Sequence, residues 1–298
     1  MKSLEELIEM VKAMPGKRVS LAGAHEIDSL VAMEKARTAG IADAVLVGDE
    51  KKIRESAEKA GIDINNYEIA HESNPKNVSR RAVSIVREGG ANALMKGLVS
   101  TSDFMRAIID KECGLLASKL LSHVAIFDIP NYHKLLGITD AGINIAPSLD
   151  EKATIISNAV KIFHKIGIEE PRVACVCAVE KVNPGKMPCT EEAAVLSGMN
   201  RGGQIKGCLV DGPFGLDNAI DSEAARLKKI TGEVAGNADL ILCPDIEAAN
   251  VLYKSLAYLA GYTCGAIVIG TSSPVILTSR ADSGETKFAS LALGIAAS

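Results

Sequence analysis

The sequence has no Trp, only five Phe and five Tyr among 298 residues, and no apolar run of membrane-spanning length. No G-x-G-x-x-G fingerprint is present to mark a dinucleotide site. Histidine is equally sparse: His123, His133 and His164 show no metal-ligand spacing and read as structural or surface residues. Seven cysteines do not make a secreted disulfide framework. Cys175 and Cys177 lie in an apolar run with one residue between them and no matching pair elsewhere, which argues against a zinc site and for reduced core thiols. There is no signal-peptide core, since MKSLEELIEMVKAM is an amphipathic acidic helix, so the expected location is the cytoplasm. Basic charge is not in excess either: the net charge of −4 argues against nucleic acid as the main partner.

What is present describes a soluble α/β protein: 47% hydrophobic residues, 23% charged and 26 Gly. A single core stops growing near about 250–300 residues, so two domains are expected. Strand and helix signals alternate. Strands are predicted at Arg18–Ala22, Ala44–Gly48, Tyr67–Ala70 and Ala93–Lys96, with helices between them that end at Gly40, Gly61 and Gly89-Gly90. That spacing implies parallel pairing through right-handed crossovers. After Leu120 the pattern changes. Val124–Ile129 and Leu135–Asp140 are separated by a short polar link, which favours an antiparallel pair and marks the change of domain. Ser148 with Glu151 resembles a capping box.

Polar residues recur where strands end, the edge at which open α/β sheets bind ligands. Lys96-Gly97 closes a strand, and Ser100, Thr101 and Asp103 open a helix that either caps itself or accepts an anion. Arg106, about one turn on, points at that place or at solvent. In the second half, Asn183, Asp211 and Asp245 each follow an apolar run, with Asn250 near the start of a helix reaching Tyr258. Near the C-terminus, Ala266–Ile269 and Val275–Leu277 read as strands. Thr278-Ser279-Arg280 then places two hydroxyls and a guanidinium at a strand end, with a helix starting soon after. Such a group holds a phosphate-like dianion. A solvated Arg280 is the plain alternative.

Taken together, Lys96-Gly97 with Thr101 and Arg106, Asn144–Pro147, Glu180–Asn183, Val210–Pro213, Asp217–Ala219, Ala235–Asp239, Pro244–Glu247 and Pro274–Asp282 resemble the phosphate acetyltransferase and butyryltransferase family. The resemblance covers nearly the whole chain in order. The compact length and TSRADS tail are most similar to the phosphate butyryltransferase branch. It implies two α/β domains with mostly parallel sheets, of the isocitrate/isopropylmalate dehydrogenase type, with the site in the cleft between them. The expected domains are 1–120 and 121–285, with helix 286–298 packing back on the first. A homodimer or higher homo-oligomer is implied, with no membrane partner.

The implied reaction is reversible transfer of a short acyl group between coenzyme A and inorganic phosphate. CoA is then a substrate, no cofactor is tightly bound and no metal is needed. Ser279 and Arg280 match the family's Ser-Arg pair. The family's acetyl branch has an Asp base seven positions after that serine, where this chain has Thr286, so Asp282 or Glu285 replaces it or no single side chain does. Lys96, Gly97, Ser100, Thr101 and Arg106 are candidates for phosphate and CoA binding, as are Thr278, Asn183, Asp211, Asp245 and Asn250. A phosphate acetyltransferase is the near alternative. An NAD- and metal-dependent dehydrogenase of the same fold, or a CoA or anion sensor without turnover, are the alternatives from other classes.

Overall fold

Helix α1 (Leu4–Lys12) opens on Glu5 and Glu6 and closes on Lys12, charges that complement its dipole. The computed structural model describes residues 1–14, 16–278 and 282–298. These fall into two units: Glu5–Lys119 with Gly265–Ser298, here the first, and Met1–Leu4 with Leu120–Cys264, the second.

In the first unit the chain continues through β1 (Arg18–Ala22), α2 (Ile27–Thr38), β2 (Asp43–Gly48), α3 (Glu50–Ala60), β3 (Glu68–His71), α4 (Pro75–Arg87), β4 (Ala93–Lys96) and α5 (Thr101–Ile108). Strand β1 pairs in parallel with both β2 and β4, and β3 joins the outer side of β2 in the same sense. Because these strands are parallel, the loops that follow them leave one common edge. Helices α3, α4 and α5 start there, capped by Asp49, Asn74 and Ser100, whose side chains accept the N–H of Lys52, Lys76 and Asp103. Strand interiors such as Leu21, Leu46, Leu94 and Met95 are fully buried, as expected for a sheet covered on both faces.

The second unit begins with β5 (Ser122–Phe127) and β6 (Leu136–Thr139), which pair antiparallel as their short link predicts. It continues through α6 (Leu149–Lys165), β7 (Arg172–Val176), α7 (Pro188–Arg201), β8 (Leu209–Phe214), α8 (Leu216–Ile220), α9 (Ser222–Leu227), β9 (Leu240–Leu242) and α10 (Ile246–Lys254). Its strands lie in the order β5-β6-β9-β7-β8, all neighbours parallel beyond β6. Both halves of the Ser148–Glu151 capping box form at α6. The helix expected to reach Tyr258 is α-helical only to Lys254 and continues as a π-helical turn over Ser255–Leu259.

The chain then returns to the first unit as β10 (Cys264–Ile269), β11 (Val275–Ile276) and α11 (Gly284–Ala296). Strand β11 runs antiparallel to β10 and parallel to β4, so the order there is β3-β2-β1-β4-β11-β10. Pairing with β4 is the reason the boundary expected at 285 lies between Cys264 and Gly265. Helix α11 packs on α2 and β11 and is buried from Thr286 to Ala296. Two glycines let it approach so closely: a Cβ on Gly265 would stand 2.8 Å from the Ala289 carbonyl oxygen, and one on Gly294 would stand 2.7 Å from Ile276. Among the described residues no helix is long and apolar enough to cross a membrane.

Candidate functional site

In the first unit, the loop after β4 is pressed against the turn after β1. A Cβ on Gly97 would lie 2.6 Å from the Gly23 carbonyl oxygen and 2.9 Å from that of Ala22, and Gly23 itself has φ +72°. Gly97 is therefore demanded by backbone approach, whatever else the loop does. Lys96 ends β4 half-buried, its Nζ donating to the Gly97 carbonyl at 3.3 Å. Strand β11 lies beside β4 with Val275 opposite Leu94 and Ile276 opposite Met95. Thr278 lies two residues beyond Ile276 in the chain, as Gly97 lies two beyond Met95, so both follow the shared carboxyl edge. Ser279 and Arg280 follow directly in the chain and lie outside the described residues. Asp282 is half-buried, and Glu285 is exposed in the first turn of α11, where Ser283 caps the Thr286 N–H at 3.1 Å.

Ser100 takes the self-capping alternative, accepting the Asp103 N–H at 3.4 Å and sharing a 2.7 Å hydroxyl contact with Ser102. Thr101 is exposed at the helix start. Arg106, 71% exposed, pairs with Asp103 at 3.0 Å on the same helix.

In the second unit, each predicted residue has a local structural partner. Asp245 caps α10 by accepting the Ala248 N–H at 2.9 Å, and Asn250 donates to the Ala141 carbonyl at 2.9 Å. Asp211 accepts from the Ser197 hydroxyl at 3.1 Å and from the Gly212 N–H at 2.9 Å. It sits opposite Ala174 inside β8, which runs through Gly212 and Pro213 to Phe214, whereas the sequence places Asp211 at a strand end. Asn183 is exposed, with its backbone N–H given to Thr190 Oγ1 at 2.9 Å.

Sequence reading passed over a cluster at this edge. Glu180 follows β7 and Asp217-Asn218 follows β8, and the parallel pairing of those strands brings them together. Asn218 is fully buried, donates to Glu180 Oε1 at 2.8 Å, and leaves its Oδ1 without a partner. Lys228 bridges Glu180 at 2.6 Å and Asp217 at 2.8 Å. Its ammonium holds both carboxyls below their ordinary range, and Asp217 and Glu180 in turn raise the lysine. The signal was available: both segments belong to the ordered motif set. A second pair, Lys152 on α6 with Glu192 on α7, is an ion pair with a buried lysine beside Cys175, Cys177 and Cys243. Burial pushes the Cys177 and Cys243 thiols up to about 12. Other motif residues are structural: buried Asp239 pairs with half-buried Lys134 at 2.6 Å and accepts the Arg172 N–H, and Asn144 ties Asp140 to the Leu121 carbonyl. Among the described residues no three His, Cys, Asp or Glu side chains are grouped to hold a metal.

Mostly parallel sheets flanked by helices, with polar loops at the strands' carboxyl ends, define an α/β fold shared with dehydrogenases. A 4-hydroxythreonine-4-phosphate dehydrogenase from Burkholderia phymatum superposes with a TM-score of 0.55 at 14% identity over 94% of this chain and 97% of its own, a likeness of fold alone. The particular family is settled by sequence. The family described as "Phosphate acetyl/butaryl transferase" matches residues 65–295, and the chain belongs to it. A phosphate butyryltransferase of Clostridium acetobutylicum is 50% identical over 98% of this chain and 97% of its own. The crystal structure of a branched-chain phosphotransacylase from Enterococcus faecalis V583 matches at 31% identity and a TM-score of 0.84, covering 95% and 99% of the two chains.

Proposed function

We propose that this chain moves a butyryl or short branched acyl group between coenzyme A and inorganic phosphate: acyl-CoA + phosphate = acyl phosphate + CoA. The observation that carries this is 50% identity to a phosphate butyryltransferase over nearly both full chains. A phosphate oxygen attacks the thioester carbonyl, the C–O bond forms, the C–S bond breaks and the sulfur leaves as thiolate to be protonated. No electrons change hands, so the work is positioning and charge neutralisation. Arg280 holds the phosphate through its planar fork, and Thr278 and Ser279 offer hydroxyls to the tetrahedral oxyanion. Lys96, at the edge where Thr278 lies, adds positive charge. In the reverse direction Asp282 or Glu285 takes the thiol proton.

The test is thiol release from butyryl-CoA with and without phosphate. Release is expected only with phosphate or arsenate, without added divalent metal or nicotinamide, and kcat/KM for butyryl-CoA should exceed that for acetyl-CoA. A preference for acetyl-CoA would move the chain to the acetyl branch, and binding without release would make it a sensor. Nicotinamide reduction with a hydroxy acid would mark a dehydrogenase. We read the protein as cytoplasmic and as a homo-oligomer. Val251, Tyr258 and Leu259, 66%, 52% and 87% exposed on α10 and its π-turn, support the second reading. Light scattering should return a multiple of the 31.3 kDa chain mass.

A further inference from the structure

At the carboxyl edge of the first unit's parallel strands a pocket of 310 Å³ opens between the starts of α3, α4 and α5. That volume lies in the range of small-molecule sites, about 300–1,000 Å³. Three carboxylates face it, and each has a partner within the protein. Asp49 accepts the Lys52 N–H at 3.3 Å, Glu72 accepts the Asn74 N–H at 2.8 Å, and Asp103 pairs with Arg106 at 3.0 Å. Its two lysines differ. Among the described residues neither Lys52 nor Lys76 forms an ion pair, although both stand in the first turn of a helix, where the free N–H groups already favour anions.

Two further features limit the ligand. Pro75, Val78, Leu98 and Val99 supply an apolar wall, with Leu98 41% exposed. His25, between β1 and α2, also lines the pocket, and its Nδ1 is buried with no hydrogen-bond partner. Burial and the nearby Lys52 lower the ring's pKa, so it meets a ligand as a neutral imidazole. An occupant must therefore present anionic groups to two lysines, a flat apolar body to the wall and one polar edge to a neutral histidine.

Resting on the acyl-transfer reading above, we propose that this pocket seats the nucleotide end of the CoA substrate, its adenosine 3′-phosphate 5′-diphosphate. The purine lies on the Leu98–Val99 wall with its edge toward His25, and the phosphates face Lys52 and Lys76. Residues Gly97 to Ser100 run from the end of β4 into the pocket, so a substrate anchored there extends its thioester arm along the same edge toward Lys96 and Thr278. The remote anchor supplies binding energy that the reacting end does not have to provide.

The test compares the wild-type chain with a Lys52→Glu/Lys76→Glu double variant, its fold checked by circular dichroism. Calorimetry with adenosine 3′,5′-bisphosphate should show binding to wild type that CoA displaces, weakened about tenfold or more in the variant. The ratio of kcat/KM for butyryl-CoA to that for butyryl-pantetheine, which lacks the nucleotide, should fall by a similar factor. Unchanged bisphosphate affinity and an unchanged ratio would overturn the proposal, as would absent wild-type binding or binding that CoA does not displace. If wild type releases thiol from neither thioester, the acyl-transfer reading fails while the calorimetric arm still decides what the pocket binds.

Discussion

A guanidinium that grips a transferring phosphate makes a stronger contact as charge develops, so its removal costs turnover rather than fold. Arg280→Ala should lower kcat/KM for phosphate about 10²-fold or more with an unchanged Tm, and Arg280→Lys should recover only part, because a point charge lacks the fork. Near-normal kinetics in a folded Arg280→Ala protein would move attention to Lys96. The Lys228 bridge makes a different prediction. Glu180 and Asp217 have lowered pKa values, so their contribution to stability is present above the ordinary carboxylate range and is lost as pH falls through the lowered values. Lys228 is raised, so its share persists through neutrality and is lost only in strong base. The stability difference between wild type and Lys228→Met in urea should therefore be flat near neutrality and shrink toward pH 3. A difference that grows on acidification would contradict the bridge. At this scale the sequence was read unevenly. Asp245 has the right type and place for a ligand, yet also for an N-cap, and only the 2.9 Å bond to Ala248 separates the two. Glu180 and Asn218 are 38 positions apart, and no local pattern announces that they touch.

Between elements, the stability of α11 depends on groups that face β10 and β11. Ser290 is fully buried, donates to the Thr286 carbonyl at 2.7 Å and accepts the Ala266 N–H at 3.0 Å. Ser290→Ala leaves that strand N–H unpaired in the core, so urea unfolding should show a loss of about 1–3 kcal/mol. Gly97→Ala forces a Cβ against the backbone of Ala22 and Gly23 and should cost a similar amount, about 1–3 kcal/mol, since neither neighbour is the end of a flexible side chain. A cost below 0.5 kcal/mol for either variant would show that these contacts relax freely. The elements themselves were legible. Period and glycine stops mark α3 and α4, the Ser148–Glu151 capping box marks α6, and the short link marks the β5–β6 pair. The end of α10 was not, because a π-helical turn carries the same residue types as the helix it extends.

Over the whole molecule, the buried thiols report on the integrity of the second unit. Cys113 is exposed, while Cys175, Cys177, Cys208, Cys243 and Cys264 are buried, and burial pushes Cys208 up to about 11 and Cys177 and Cys243 up to about 12. Alkylation near neutral pH should therefore modify Cys113 first, slowed by the nearby Asp110 that raises its pKa, and the buried five should react only as the fold opens. Rapid native labelling of Cys177 or Cys243 would refute that. What the sequence determined alone was the class and the family: parallel α/β alternation follows from local period and turn residues, and the ordered motifs follow from chain order. The tertiary structure decided the rest. It drew β10, β11 and α11 into the first unit through β4, laid Ile276 beside Met95 by register, and gathered Lys52, Lys76 and His25 around one pocket. Those outcomes depend on which strands become neighbours, and strand pairing is a long-range choice made by the whole core rather than by any stretch of the chain.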